Sequence, residues 1–165
     1  KDIFKLKTMK ADSQKKPIKR DENLKPFSRE HHHGLLLSWK IKTGFNKNIE
    51  IDRIKKYADW FYLNHLNPHF IAEEKYLFPI LGNDNDLIKR ALSEHQNLRK
   101  LFESTSDIAN NLHQIETDLN QHIRFEERIL FNEIQDIASP EQLKAIQEIH
   151  QEEKFVDNIS DPFWE

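Results

Sequence analysis

The chain contains no cysteine. Disulfides, iron–sulfur clusters, thiolate catalysis and sulfur-liganded zinc are therefore excluded, and any metal site must use histidine, carboxylate and water. The absence also suits a reducing compartment, so a cytoplasmic location is expected. Glycine is scarce, with three in 165 residues, and most of the six prolines lie in the N-terminal region or near predicted helix ends. Turn-rich β architectures need more of both, so the composition favours helices. No apolar run approaches the roughly 18–20 residues of a membrane span. The opening KDIFKLKTMK lacks the apolar centre of a signal peptide. No membrane association is expected.

The net charge of −3 is unevenly spread. Residues 1–30 carry ten Lys or Arg against five Asp or Glu, which leaves 15 against 23 for the remainder. Residues 1–26 read as a basic, irregular arm and residues 27–165 as one helical domain with a C-terminal helix and tail. A basic arm can attract nucleic acid, but no aromatic-laced basic groove accompanies it, so no nucleic-acid partner is expected.

Apolar spacing of three and four predicts four long amphipathic helices. The first is capped by Ser28, starts at Arg29 and stops at Gly44. The second spans about Ile49 to Leu81, with a kink near Asn64 to Asn67 because Pro68 removes a backbone donor. The third spans about Asp86 to Ala109 and breaks at Asn110-Asn111. The fourth spans about Leu112 to Ile137. Ser139-Pro140 opens a short fifth helix ending near Lys154. The fold class is therefore all-α: an antiparallel up-down-up-down four-helix bundle with a short fifth C-terminal helix.

Two segments repeat one pattern. HFIAEEKYLF begins at His69 and HIRFEERILF at His122, and both read H-x-x-x-E-E-x-x-L-F. Residues at i and i+4 share a helix face, so His69 pairs with Glu73 and His122 with Glu126. Both pairs interrupt a core stripe, and a buried carboxylate is expensive unless paired or metal-bound. On the third helix His95 falls among Leu92, Leu98, Leu101 and Phe102. On the first, His31-His32-His33 precedes a stripe centred on Leu35, Leu36 and Trp39. That stripe selects His32 as the inward residue, with His31 second and His33 exposed. Glu74 and Glu127 lie about 100° round the helix from the inner pair and read as solvated. A single H-x-x-x-E occurs by chance in many helices, and a lone inward histidine is usually core. The conjunction across four helices is what points to a metal site, and its donors suit iron, manganese or zinc.

The segments SREHHHGL at 28–35, HLNPHFIAEEKYLFP at 65–79, EHQNLRKLF at 94–102 and HIRFEERILF at 122–131 resemble the hemerythrin-like, or HHE cation-binding, family. The resemblance implies a carboxylate-bridged, non-haem di-iron centre with a bridging oxo or hydroxo group. Its ligands by position are His32, His69, Glu73, His95, His122 and Glu126, with His31 and His65 as further candidates. The oxygen carriers of the family have a second histidine four residues on from the one on the third helix, and here that position is Arg99. This departure argues against simple O2 transport. The expected function is binding or sensing of O2, NO or iron by a monomeric module. The alternative is a di-iron oxidoreductase acting on O2, peroxide or NO, in which Tyr62 or Tyr76, each read first as a core residue, could take part. Ferritin-like storage is disfavoured, because those sites use Glu-x-x-His in the opposite order.

Overall fold

A computed structural model of the chain describes residues 18–151 and 153–165. Most of the predicted arm, residues 1–17, lies outside the described residues. Four long helical segments follow: α1, Lys25–Asn46; α2, 51–80; α3, Asp86–Glu103; and α4, 108–137. A shorter α5, Pro140–Ile149, precedes an extended tail. α1 packs along α4 and α2, and α3 packs along α4. No helix among the described residues is long and apolar enough to cross a membrane.

α1 begins one turn earlier than the spacing predicts. Pro26 sits in its first turn, where a missing backbone N–H costs nothing. Ser28 is therefore inside the helix, not its cap. Gly44 does not end α1 either. It is a close-approach residue: a Cβ there would stand 2.7 Å from Ile54 Cδ1 and 3.0 Å from the Phe163 ring. The break after α3 falls at residues 104–107, ahead of Asn110. There Ser104 turns extended and Asp107 adopts a left-handed φ of 53°. Ser104 Oγ bonds within the turn to the Ser106 carbonyl, offering the backbone an alternative to helix. α5 has the predicted cap, a reciprocal Ser139–Gln142 capping box.

α2 and α4 are not uniform. α2 contains π-helical turns at Tyr62–Leu66 and Glu73–Leu77, and α4 contains one at Glu126–Leu130. The first sits where Pro68 was expected to kink the chain. The other two each begin at the first glutamate of the repeated motif. Such wide turns are rare and frequently mark functional sites.

Two apolar clusters flank the bundle's middle. One gathers Leu37, Ile41, Ile54, Phe61, Leu98, Leu112 and Leu119. The other gathers Phe27, Leu77, Phe78, Ile88, Leu130, Phe131 and Ile134. The tail is pinned to the outside. Buried Lys40 bonds Tyr57 Oη at 2.8 Å and Asp157 at 2.5 Å, and Tyr57 donates to Asp157 at 2.6 Å.

Candidate metal centre

Between the two apolar clusters the interior turns polar. His31, His69, Glu73, His95, His122 and Glu126 are all buried, with Glu73, His95 and Glu126 fully so. Their inner atoms converge. His69 Nε2 lies 3.1 Å from Glu73 Oε1, and His95 Nε2 lies 3.3 Å from the same oxygen. His122 Nε2 and His31 Nε2 lie 3.0 and 3.1 Å from Glu126 Oε1. His31 Nε2 is also 3.6 Å from Glu73 Oε2. These atoms form two groups able to hold a cation: His31, His69, Glu73 and Glu126, and His95, His122, Glu73 and Glu126. Both carboxylates belong to both groups.

Five of the six residues selected from the sequence meet here. The sixth does not. His32 is exposed, and His31 takes the inward place on α1. The apolar run misled the wheel, because Leu36 and Trp39 are themselves 37% and 52% exposed. The buried face of α1 runs instead through Phe27, His31, Gly34, Leu37, Ser38 and Ile41. Gly34 lets α4 come close, since a Cβ there would be 2.8 Å from Ile123 Cδ1. His65 also stays outside the cluster. It lies in the π-turn before Pro68, which breaks the i, i+4 alignment with His69, and it packs against Trp60, Phe61 and Phe155 instead. His33 is half-buried, stacked on Phe155 at 3.9 Å. Tyr62 turns its hydroxyl to Glu103 at 2.7 Å, and Tyr76 packs against the second apolar cluster.

Each cluster histidine carries a carboxylate on its outer nitrogen. His31 Nδ1 meets Glu127 at 2.7 Å and His95 Nδ1 meets Glu74 at 3.3 Å. His69 Nδ1 meets Glu30 at 2.8 Å and His122 Nδ1 meets Glu94 at 2.9 Å. An ionised carboxylate only accepts, so each Nδ1 carries the proton and each Nε2 is the nitrogen turned towards the cluster, where a cation could take it. Such partners orient a metal-binding imidazole and raise its basicity. Glu74 and Glu127 are therefore not solvated faces. A π-turn begins just before each of them, and each reaches a histidine on a neighbouring helix. Glu30 and Glu94 carry a signal the spacing analysis passed over: each directly precedes its helix's lone inward histidine, as Glu30-His31 and Glu94-His95.

The outer carboxylates are braced in turn. Arg99 grips Glu74 with two bonds, of 3.0 and 2.7 Å, and also bonds Asn67. Arg90 holds Glu94 at 3.0 Å, and Arg20 lies 3.3 Å from Glu127. Glu30 meets His150, from the end of α5, at 3.0 and 3.1 Å.

A family model described as the Hemerythrin HHE cation binding domain matches residues 28–134. The chain belongs to this family. Comparison with curated proteins and with solved structures finds no significant match. The hemerythrin-like match contains all six cluster residues and all four outer carboxylates, but it ends before α5 and His150.

The charges of this hemerythrin-like site fit a cation. Burial alone would push His69 down, but the nearby Glu73 charge and the bond to Glu30 raise it to about 9. Against the same burial, Glu126 and Glu94 raise His122 to about 9. His31 is held well above its ordinary value by Glu126, Glu127 and Glu73 despite complete burial. Glu73 stays well below the usual carboxylate range, because His69, His31 and His95 outweigh its desolvation. Bonds from His150 and His69 bring the half-buried Glu30 down to about 2, and His95 and Arg99 do the same for Glu74. The cluster thus demands positive charge. His69 Nε2, both Glu73 oxygens and Glu126 Oε2 are buried with no hydrogen-bond partner. The close approach of His69 to Glu73 lacks hydrogen-bond geometry. Buried polar atoms without partners are costly, and a metal ion would satisfy all four.

One side of the cluster opens to a cavity of about 330 Å³ bordered by His31, His69 and His122. His95 does not border this cavity and is covered by rings: Phe70 stacks on it at 4.0 Å and Phe78 at 5.4 Å.

Proposed function

We propose that this hemerythrin-like domain holds two iron ions, one in each group, with Glu73 and Glu126 spanning both, and that it binds a small diatomic ligand such as O2 or NO. The observation that carries this reading is the shared use of both buried carboxylates by two pairs of histidines. His31 and His69 would hold one ion and His95 and His122 the other, through nitrogen and oxygen donors that suit iron. Bound there, an iron pair supplies redox-active coordination positions for a diatomic molecule.

The protein's own groups do the rest. The four outer carboxylates fix each imidazole's tautomer and direction before any ion arrives. Phe27, Phe70, Phe78 and Phe131 wall the centre in hydrocarbon, which strengthens the electrostatics inside and excludes bulk water. The cavity beside His31 and His69 is the path of entry. The mixed His and Glu donor set, with Arg99 in place of a further histidine, favours sensing or binding over bulk O2 transport.

The second reading is a di-iron oxidoreductase acting on O2, peroxide or NO. It is favoured by that cavity, which exceeds the need of a diatomic ligand. Metal analysis of protein produced with added iron tests the first claim, with about two iron per chain expected from the two groups. Less than one iron per chain would overturn it. Mixing the reduced, iron-loaded protein with O2 or NO then separates the readings. A stable spectral adduct supports binding, and repeated turnover with a reductant supports an enzyme.

A further inference from the structure

The carboxylates that brace the cluster histidines are themselves held by basic side chains, and these come from two sources. Arg99 and Arg90, which hold Glu74 and Glu94, stand within α3. Both serve the His95 and His122 pair. Arg20 and His150, which hold Glu127 and Glu30, serve the His31 and His69 pair. Both lie outside the 28–134 of the family match, Arg20 ahead of α1 and His150 just past α5. One group of candidate ligands is thus held from within the bundle, and the other from segments that flank the domain.

Each flanking segment makes two kinds of contact. Arg20 donates to the Glu127 carbonyl at 2.6 Å and lies 5.3 Å from the centre of the Phe131 ring, which stacks on His31 at 5.0 Å. His150 stacks on Phe27 at 4.1 Å, and Phe27 in turn meets the His69 ring at 5.9 Å. His31 and His69 are therefore each steered twice, through a glutamate and through a phenyl ring. Arg99 makes the same pair of contacts to His95, through Glu74 and Phe70. The contacts are alike, but what carries them differs. Arg90 and Arg99 sit on a capped helix of 18 residues. Residues 18–21 have no regular structure, and His150 is where α5 ends. Such segments open locally at a smaller free-energy cost than the middle of a packed helix. The cavity adds a route, because it borders both His31 and His69 but only His122 of the other pair.

We propose that Arg20 and His150 are positioning residues for a single ion, the one at His31 and His69, and that this dependence makes it the exchangeable member of the pair. The inequivalence rests on the two-ion reading given above. Lifting either flanking segment frees a glutamate, lets its imidazole turn and lowers affinity at that position. The His95 and His122 position keeps its own braces throughout. Displacement of residues 18–21 or of His150 thus converts a two-ion centre into a one-ion centre.

Anaerobic competition between the full chain loaded with ferrous iron and a chromophoric chelator tests this. The wild type should release its two irons, one from each group, in two steps. Arg20→Ala and His150→Ala should each ease the first step by about tenfold and leave the second unchanged. Arg20→Lys, which keeps the charge, should recover most of the loss. Double variants identify the position. His69→Ala already removes the first ion, so adding Arg20→Ala should change nothing, whereas adding Arg99→Ala should weaken the ion that remains. If one of the two flanking variants does not fold, as judged by circular dichroism, the other decides. Release of both irons in one step, equal easing of both steps, or an Arg20→Ala effect that survives in the His69→Ala chain overturns the proposal. Wild-type release in the folded Arg20→Ala and His150→Ala chains also overturns it and leaves the two-ion reading standing. Less than one iron per wild-type chain sinks that reading and the inequivalence with it.

Discussion

The α1–α2 half and the α3–α4 half of the bundle are built to one plan. Each pairs a Glu-His helix with a His-x-x-x-Glu-Glu helix. Glu30 and Glu94 each brace a histidine within their own half, on His69 and His122. Glu74 and Glu127 each brace the lone histidine of the other half, on His95 and His31. The π-turns that open at Glu73 and Glu126 match as well, whereas the one at Tyr62–Leu66 has no counterpart in α4. The halves differ only outside this arrangement. His95 lies beneath Phe70 and Phe78, whereas the other three histidines, His31, His69 and His122, border the cavity. Arginines back Glu74, Glu94 and Glu127, whereas Glu30 meets a histidine from the C-terminal segment. The inner plan determines what the site can hold, and the outer differences decide which side a ligand reaches.

The comparison can be broken most severely at the shared carboxylates. Glu126→Ala should lose both ions, since Glu126 belongs to both groups. The loss would show in metal analysis, and as a fall in melting temperature of the iron-supplied protein. A ligand held at about 1,000 times its Kd contributes about 4 kcal/mol to the native state, and that contribution would go. Retention of one ion would mean the halves are independent. Next come the symmetric pairs. Glu74→Ala and Glu127→Ala should each lower metal affinity by about 10–100-fold, as for other outer partners of metal-bound histidines. A large effect from one and none from the other would break the equivalence of the halves.

A smaller effect is expected at the point where the halves differ. His150→Ala should weaken one of the two ions by up to about tenfold, and His150→Arg should restore it by copying the other three corners. Competition titration with a chromophoric chelator would read both. If Arg fails where Ala also fails, the role of His150 lies in packing, through its 4.1 Å stack on Phe27.

The gentlest perturbation is pH, applied to chelator-treated protein. His69 and His122 are raised from 6.5 to about 9. Their contribution to stability is full below pH 6.5 and is lost as pH rises through about 9. Glu30 and Glu74 are lowered from 4.5 to about 2, so their contribution is present above 4.5 and lost as pH falls through about 2. Metal-free protein should therefore melt highest between about pH 4.5 and 6.5. Metal uptake should strengthen as pH rises towards 9, because each ion displaces protons from imidazole. Melting curves that rise steadily from pH 6.5 to 9 without metal would contradict these shifts.

Much of this was legible in the residues. Helical spacing and scarce glycine gave the bundle, and the doubled H-x-x-x-E-E motif gave four of the six cluster residues. His95 followed from its apolar neighbours. The failures have identifiable causes. On α1 the wheel was centred on Leu35, Leu36 and Trp39, yet two of those face solvent, so it chose His32 over His31. Helical periodicity assumed 100° per residue throughout, and the π-turns violate that assumption at His65 and at both Glu-Glu pairs. Glu74 and Glu127 were consequently assigned to solvent when they brace histidines on other helices.

The sequence by itself determined four amphipathic helices and a set of donors limited to nitrogen and oxygen, because composition and local spacing act within single helices. Only the tertiary structure decided which histidine of three faces inward, which carboxylate braces which imidazole across the bundle, and that the C-terminal segment closes one side. Those choices depend on contacts between residues as far apart as Glu30 and His150, and no local pattern encodes them.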